Sequence, residues 1–186
     1  MCPNQTSNHG VFVGRLNPMH LGHEAVIAKM LQQFGIENSL LILGSSSAPF
    51  SLRNFFSVAE RKKFVQSIFP DLAIICLPDF PTDAQWLAEL DKLLLAKKFD
   101  PAKTVFFGGC NADLAFFLDA GRKCQILNRV DGTTPTISAT QVRALLLSNG
   151  SLKGFLNPLI IEKVKKLFAQ KRSRLKTETN LANLRK

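Results

Sequence analysis

Apolar residues along the chain fall into five short runs separated by longer stretches of helical periodicity. Val11–Gly14, Leu40–Gly44, Ala73–Leu77, Thr104–Gly108 and Cys124–Leu127 are apolar on both faces and bounded by Gly, Pro or charged residues, as buried parallel strands are. Between and after them, the 3.6-residue period predicts helices near 22–34, 58–69, 83–98, 111–121, 139–148 and 158–170. Strands alternating with helices predict an α/β domain with a doubly wound parallel sheet of about five strands. Ser57-x-x-Glu60, Thr82-x-x-Gln85 and Ser138-x-x-Gln141 fit capping boxes, and Asn157-Pro158 gives an N-cap followed by proline at the first helical position. The long loop from Ser45 to Phe56 is of the kind that carries function. No repeat or linker divides the chain, so the expected organisation is a polar segment at 1–10, one domain at 11–170, and a loosely ordered basic tail at 171–186.

Composition narrows the class. The 186 residues are 46% hydrophobic and 20% charged, as expected of a soluble globular protein of one domain. No apolar run has the length of a membrane span, and Met1–Gly10 lacks the charged and apolar regions of a signal peptide, so a cytoplasmic location without membrane association is expected. The net charge of +10 is unevenly placed: residues 162–186 hold nine Lys/Arg against Glu162 and Glu178, a local +7, leaving +3 on the first 161. The body has no nucleic-acid-binding pattern and the tail reads as a solvated end, so nucleic acid is not an expected partner. Cys2, Cys76, Cys110 and Cys124 are widely spaced, and Cys76 and Cys124 read as buried reduced thiols within apolar runs. His9 precedes the first strand and His20 and His23 lack a third ligand nearby, so no protein-held metal is expected.

The chemistry concentrates at predicted strand ends, where open α/β sheets bind ligands. Gly14-Arg15-Leu16-Asn17-Pro18-Met19-His20-Leu21-Gly22-His23 reads as strand end, tight turn and first helical turn. A helix N-terminus attracts phosphate, and His20 and His23 add donors able to follow charge on a phosphoryl group. Gly44-Ser45 after the second strand and Gly108-Gly109 after the fourth offer close approach to backbone. Ile137-Ser138-Ala139-Thr140-Gln141-Val142-Arg143 places two hydroxyls and an arginine around another helix start. By itself, the plainer reading of that segment is a helix cap with Arg143 in solvent.

Together, the GRxxPxHxGH and ISxTxxR patterns resemble the nucleotidyltransferase superfamily of adenylyl- and cytidylyltransferases, whose HxGH signature is distantly shared with class I aminoacyl-tRNA synthetases. Within it, the chain is most similar to the archaeal-type nicotinamide-nucleotide adenylyltransferases, a group that also forms the N-terminal half of bacterial adenylyltransferase–Nudix fusions. The resemblance runs from about Val11 to Leu147 and implies a Rossmann-like HxGH fold. Arg15, the stretch Leu43-Gly44-Ser45-Ser46 with Ser51-Leu52-Arg53-Asn54-Phe55-Phe56 and Ala59-Glu60-Arg61, and Asp79 with Trp86 point to this subgroup. Without the resemblance, Trp86 would read as a core aromatic. Leu16, Asn17 and Met19 replace the usual Phe, Gln and Phe, Phe55 replaces a common proline, and Gly109-Cys110-Asn111 departs from the usual turn.

The resemblance implies transfer of AMP from ATP to nicotinamide mononucleotide (NMN), giving NAD and pyrophosphate. His20, His23 and Arg143 would be catalytic; Gly14, Arg15, Gly22, Gly108, Gly109, Ser138 and Thr140 would meet ATP. Gly44, Ser45, Arg53, Asn54, Asp79 and Trp86 would meet the mononucleotide, with the indole stacked on the cationic pyridinium. Mg2+ would ride on the ATP phosphates rather than in a protein cage. Related enzymes often form homo-oligomers. The alternatives are a nucleotidyltransferase acting on nicotinate mononucleotide, a phosphopantetheine derivative or another phosphorylated acceptor, and a non-catalytic nucleotide- or nucleic-acid-binding protein.

Overall fold

Parallel pairing joins the five apolar runs into one sheet. A computed structural model of the chain describes residues 8–127 and 136–183, with side chains described through Leu175. The first seven residues of the expected polar segment, Cys2 and the last three residues of the expected tail lie outside the described residues. The strands are β1 (His9–Gly14), β2 (Ser39–Leu43), β3 (Ala73–Cys76), β4 (Thr104–Gly108) and β5 (Lys123–Ile126). The helices are α1 (Leu21–Phe34), α2 (Val58–Gln66), α3 (Asp83–Ala96), α4 (Asn111–Asp119), α5 (Ala139–Leu147) and α6 (Pro158–Asn183). Sheet order is β3-β2-β1-β4-β5, all parallel. The chain winds outward from β1 to β3, then returns to place β4 beside β1, so strand order reverses between β1 and β4. This is the single-domain, Rossmann-like fold expected from the alternating pattern.

Alternation along each strand separates two cores. Phe12, Leu41, Leu43, Val105 and Phe107 pack on one face against α1, α2, α5 and α6. Val11, Leu40, Ile42 and Phe106 pack on the other against α3 and α4. β2 and β4 are buried throughout and β1 along Gly10–Phe12, whereas β3 and β5 are edges with exposed end residues. Cys76 is therefore exposed rather than buried, because an apolar run on an edge strand is not enclosed as one in the middle is. Cys124 is half-buried, and burial pushes its thiol pKa up. His9, expected ahead of the first strand, opens β1 and stacks on Phe99.

Caps position the helices that frame the site. Ser57 and Glu60 close the box at α2, Ser138 and Gln141 the box at α5, and Thr82 accepts from the Gln85 N–H at α3. Each such cap contributes roughly 1 kcal/mol. Asn157 Oδ1 accepts from the Leu159 N–H at the start of α6, while its Nδ2 donates to the Glu24 carboxylate of α1 at 3.0 Å. Beyond 170, where apolar periodicity fades, α6 continues as helix. Lys171 pairs with Glu60, Arg172 donates to the Leu147 carbonyl at 2.9 Å, and Leu175 packs against the core. These basic residues are used within the fold, which sequence periodicity cannot reveal. Among the described residues, no helix is long and apolar enough to cross a membrane.

Gly108 ends β4 where α4 closes over the sheet: a Cβ there would stand 2.6 Å from Leu114 Cγ. Gly108→Ala is expected to lower unfolding free energy by about 1–3 kcal/mol through overpacking, read by denaturant titration. Unchanged stability would show that α4 can shift without cost.

Candidate active site

The turn after β1 is shaped by its own side chains. Leu16 is buried at φ +49, and its Cδ1 lies 2.5 Å from where a Gly14 Cβ would be, so the glycine that ends the strand leaves Leu16 its room. A cis Asn17–Pro18 bond follows. Asn17, 2% exposed, donates from Nδ2 to the Phe56 carbonyl and accepts at Oδ1 from the Phe56 N–H, both at 2.9 Å. One amide thus clips the first motif to the end of the 45–56 loop.

His20 is the N-cap of α1 and is buried, whereas His23 is half-buried one turn on. Their rings stack with centroids 3.6 Å apart. The His20 N–H donates to His23 Nδ1 at 3.3 Å, which places the proton of a neutral His23 imidazole on Nε2. Gly22, between them, is buried within the first turn.

Arg143 brings the distant second motif to this turn. Its Nη1 donates to the Asn17 carbonyl at 2.9 Å and its Nη2 to Thr140 Oγ1 at 3.0 Å. Thr140 therefore aims the arginine, while Ser138 is occupied in its capping box though still exposed. Arg15, Arg53 and Arg143 lie within electrostatic reach of one another. Burial chiefly lowers the pKa of Arg15, with the Arg53 charge adding and Asp79 opposing. Burial likewise lowers that of Arg143, with Arg15 and Arg53 adding. Guanidinium groups that feel one another's charge, one of them on the first turn of α5, have the chemistry to suit a polyanion.

Arg61 organises this corner, a role its place in sequence does not disclose. The side chain is 2% exposed. Nη1 donates to the carbonyls of Arg15 at 2.6 Å and Gly44 at 2.9 Å, and Nη2 to that of Ser45 at 3.1 Å. It ties the ends of β1 and β2 together, assisted by the Gly44 N–H donating to the Gly14 carbonyl. Among the described residues, nothing beyond its chain neighbours lies within 4 Å of where a Gly44 Cβ would be, so this glycine borders open space.

Beside the arginines lies a cleft of about 330 Å³ that includes Asp79, Phe80, Asp83, Trp86, Asp113 and Phe116. Asp79 and Trp86 share it; Ser45 reaches it by donating to Asp79 Oδ1 at 3.0 Å. Trp86 is half-buried, meeting Phe116 edge-on with centroids 5.6 Å apart, so it belongs both to the second core and to the cleft wall. Sequence reasoning missed Phe80, Asp83, Asp113 and Phe116. Asp113 also accepts from the Gly109 N–H at 3.2 Å, which orders the turn after β4. Arg53 is exposed on the 45–56 loop, and Asn54 faces a separate small cavity behind that loop rather than the cleft.

Comparison with known proteins bears on this arrangement. The family described as cytidylyltransferase-like matches residues 11–145, a span that carries both motifs. The chain belongs to that family. It is a nucleotidyltransferase enzyme. Similar proteins include a nicotinamide-nucleotide adenylyltransferase of Pyrococcus abyssi, 24% identical over 95% of this chain and 92% of the relative. Another, from Archaeoglobus fulgidus, is 25% identical over 88% of this chain and 94% of its own length. Among solved structures, a bifunctional NMN adenylyltransferase/ADP ribose pyrophosphatase from Francisella tularensis, complexed with AMP and a Mn ion, aligns at a TM-score of 0.71 with 20% identity. That alignment covers 95% of this chain and 54% of the Francisella chain, so this chain spans about half its length.

Arg61→Met is expected to cost on the order of 3 kcal/mol by leaving three inward carbonyls unsatisfied, with Arg61→Lys intermediate. Chemical denaturation checks this; wild-type stability in Arg61→Met would mean that the clamp holds nothing.

Proposed function

We propose that the enzyme transfers the adenylyl group of ATP to the 5′-phosphate of nicotinamide mononucleotide, releasing pyrophosphate and forming NAD. The observation that carries this reading is the pairing of two unlike subsites: the arginine cluster around the stacked histidines, and the acid-rich aromatic cleft next to it. The cluster suits a triphosphate. The cleft suits a cationic aromatic ring, since indole faces and carboxylates both attract positive charge. Relatives named for this activity, of similar length to this chain, support the same substrates.

In this mechanism an oxygen of the acceptor phosphate attacks the α-phosphorus of ATP, and the bond to the bridging α–β oxygen breaks. The electron pair leaves with pyrophosphate. The attacking phosphate is already anionic at neutral pH, so the protein's work is placement and charge stabilisation rather than proton abstraction. Arg15 and Arg143 hold the triphosphate against the α1 and α5 N-termini, with Gly14, Gly22, Gly108 and Gly109 in the backbone around it and Ser138 and Thr140 at the α5 end. His20 and His23 donate to the phosphoryl oxygens as charge develops. Arg53 meets the acceptor phosphate, with Gly44 and Ser45 along that side. Asp79 and Trp86 receive the nicotinamide ring.

Among the described residues, no group of three or more His, Cys, Asp or Glu side chains could hold a metal. A divalent cation such as Mg2+ would ride on the nucleotide phosphates, whose charge it would partly neutralise.

A panel of phosphorylated acceptors with ATP, scored by pyrophosphate release and dinucleotide product, tests the assignment. NMN should give the highest kcat/KM, and a clear preference for a phosphopantetheine acceptor would overturn it. His20→Ala and His23→Ala should each lower kcat by about 100-fold or more with the melting temperature kept. Near-normal turnover in both would remove the histidines from the mechanism. Trp86→Ala should raise the KM for NMN about tenfold and leave that for ATP within about twofold. An unchanged NMN KM would refute ring stacking.

A further inference from the structure

We infer that Lys171 and Arg174 of α6 are positioning residues for acceptor binding, acting by holding the loop that carries Arg53; the inference rests on the acceptor role given to Arg53 above. The loop from Ser45 to Phe56 has no strand or helix of its own, and Arg53 stands exposed near its middle. Its inner side leans on α6. Phe55 is fully buried with its ring centroid 4.6 Å from that of Phe168, and Phe50 packs on Phe55 at 5.2 Å. The Arg174 guanidinium lies 4.3 Å above the Phe50 ring, a cation–π contact.

The loop's exit is held from the same helix. Glu60 accepts from the Ser57 N–H at 2.8 Å, which fixes the start of α2, and the same carboxylate oxygen pairs with Lys171. Both side chains of this ion pair are more than four-fifths buried. Burial alone would raise the Glu60 pKa, but the bonds from Lys171 and Ser57 outweigh it and hold the carboxyl below its ordinary range. Contacts from α6 thus grip the loop on both sides of Arg53.

Between these grips Phe55 and Phe56 are buried in the core, but the packing is incomplete. A cavity of about 270 Å³ lies against the loop, bordered by Asn54, Arg61, Lys171 and Arg174. A loop without secondary structure that is only partly packed relies on such contacts to keep its shape, because each ordered residue loses conformational entropy that packing must offset. Lys171 and Arg174 lie outside residues 11–145, so the support comes from beyond the span matching the family.

The test compares wild type with Lys171→Met, Arg174→Ala and Arg174→Lys, by hydrogen exchange over 46–56 and by steady-state kinetics. The first two variants should exchange faster in that loop and show an acceptor KM raised about tenfold, with kcat and the ATP KM within about twofold. Arg174→Lys should stay near wild type, because an ammonium can also sit over the Phe50 ring. Unaltered exchange would overturn the inference. So would ATP KM and kcat moving as far as the acceptor KM, since general loosening of the fold would do that. If Lys171→Met fails to fold, Arg174→Ala carries the test alone. A wild-type protein that used no pyridine mononucleotide would sink the proposed reaction, while the exchange data would still decide whether α6 holds the loop.

Discussion

The buried guanidinium of Arg61 is the contact on which the site depends. Placing a cation away from water is costly unless its donors are satisfied, and carbonyls beyond a strand's last ladder bond are equally costly to leave unpaired. Arg61 offsets much of both costs by joining the carbonyls of Arg15, Gly44 and Ser45 through Nη1 and Nη2, although its Nε is buried without a partner among the described residues. The consequence is geometric: the turns after β1 and β2 have one fixed separation, set by a planar group. The same constraint fixes the backbone from which Arg15 projects toward Arg53 and Arg143. Like charges held near one another destabilise the empty site, and a polyanion relieves that repulsion on entering. On the proposed reaction, part of the affinity for phosphate would thereby be built in during folding.

The layered fold was readable because its signals are local and repeated. Short apolar runs, helical periods and capping boxes at Ser57 and Ser138 each depend on neighbouring residues, and apart from the end of α6 each element appears within a few residues of where periodicity puts it. What periodicity cannot say is which run lies at an edge. Ala73–Cys76 resembles Leu40–Leu43 in composition, yet one is half open and the other enclosed, because strand order is settled by long-range pairing. The end of α6 was hidden for a related reason: its partners, Glu60 and the Leu147 carbonyl, are distant in sequence.

The candidate site divides along the same line. His20 and His23 could be read as neighbours because one helical turn separates them, and stacking follows from that spacing. The joining of Arg143 to Asn17 spans 126 positions and could be suspected only from the resemblance. Arg61 gave no signal beyond its place in a familiar stretch, since one arginine in a helix looks like surface charge until its burial is known. Asp83, Asp113, Phe80 and Phe116 come from separate turns and helices, and only the fold gathers them around Trp86.

Ser45 links the two halves of this corner: its carbonyl is held by the cationic clamp, while its hydroxyl donates to Asp79 at the edge of the acidic cleft. A single residue thus sits where the local field changes sign. Any molecule lying across it meets a potential gradient, positive toward the guanidinium groups and negative toward the carboxylates. A ligand with an anionic end and a cationic end is torqued into one direction before close contact forms, and the reversed pose is repelled at both ends. Orientation is in that sense chosen by the field at a distance, and shape complementarity completes the selection on contact.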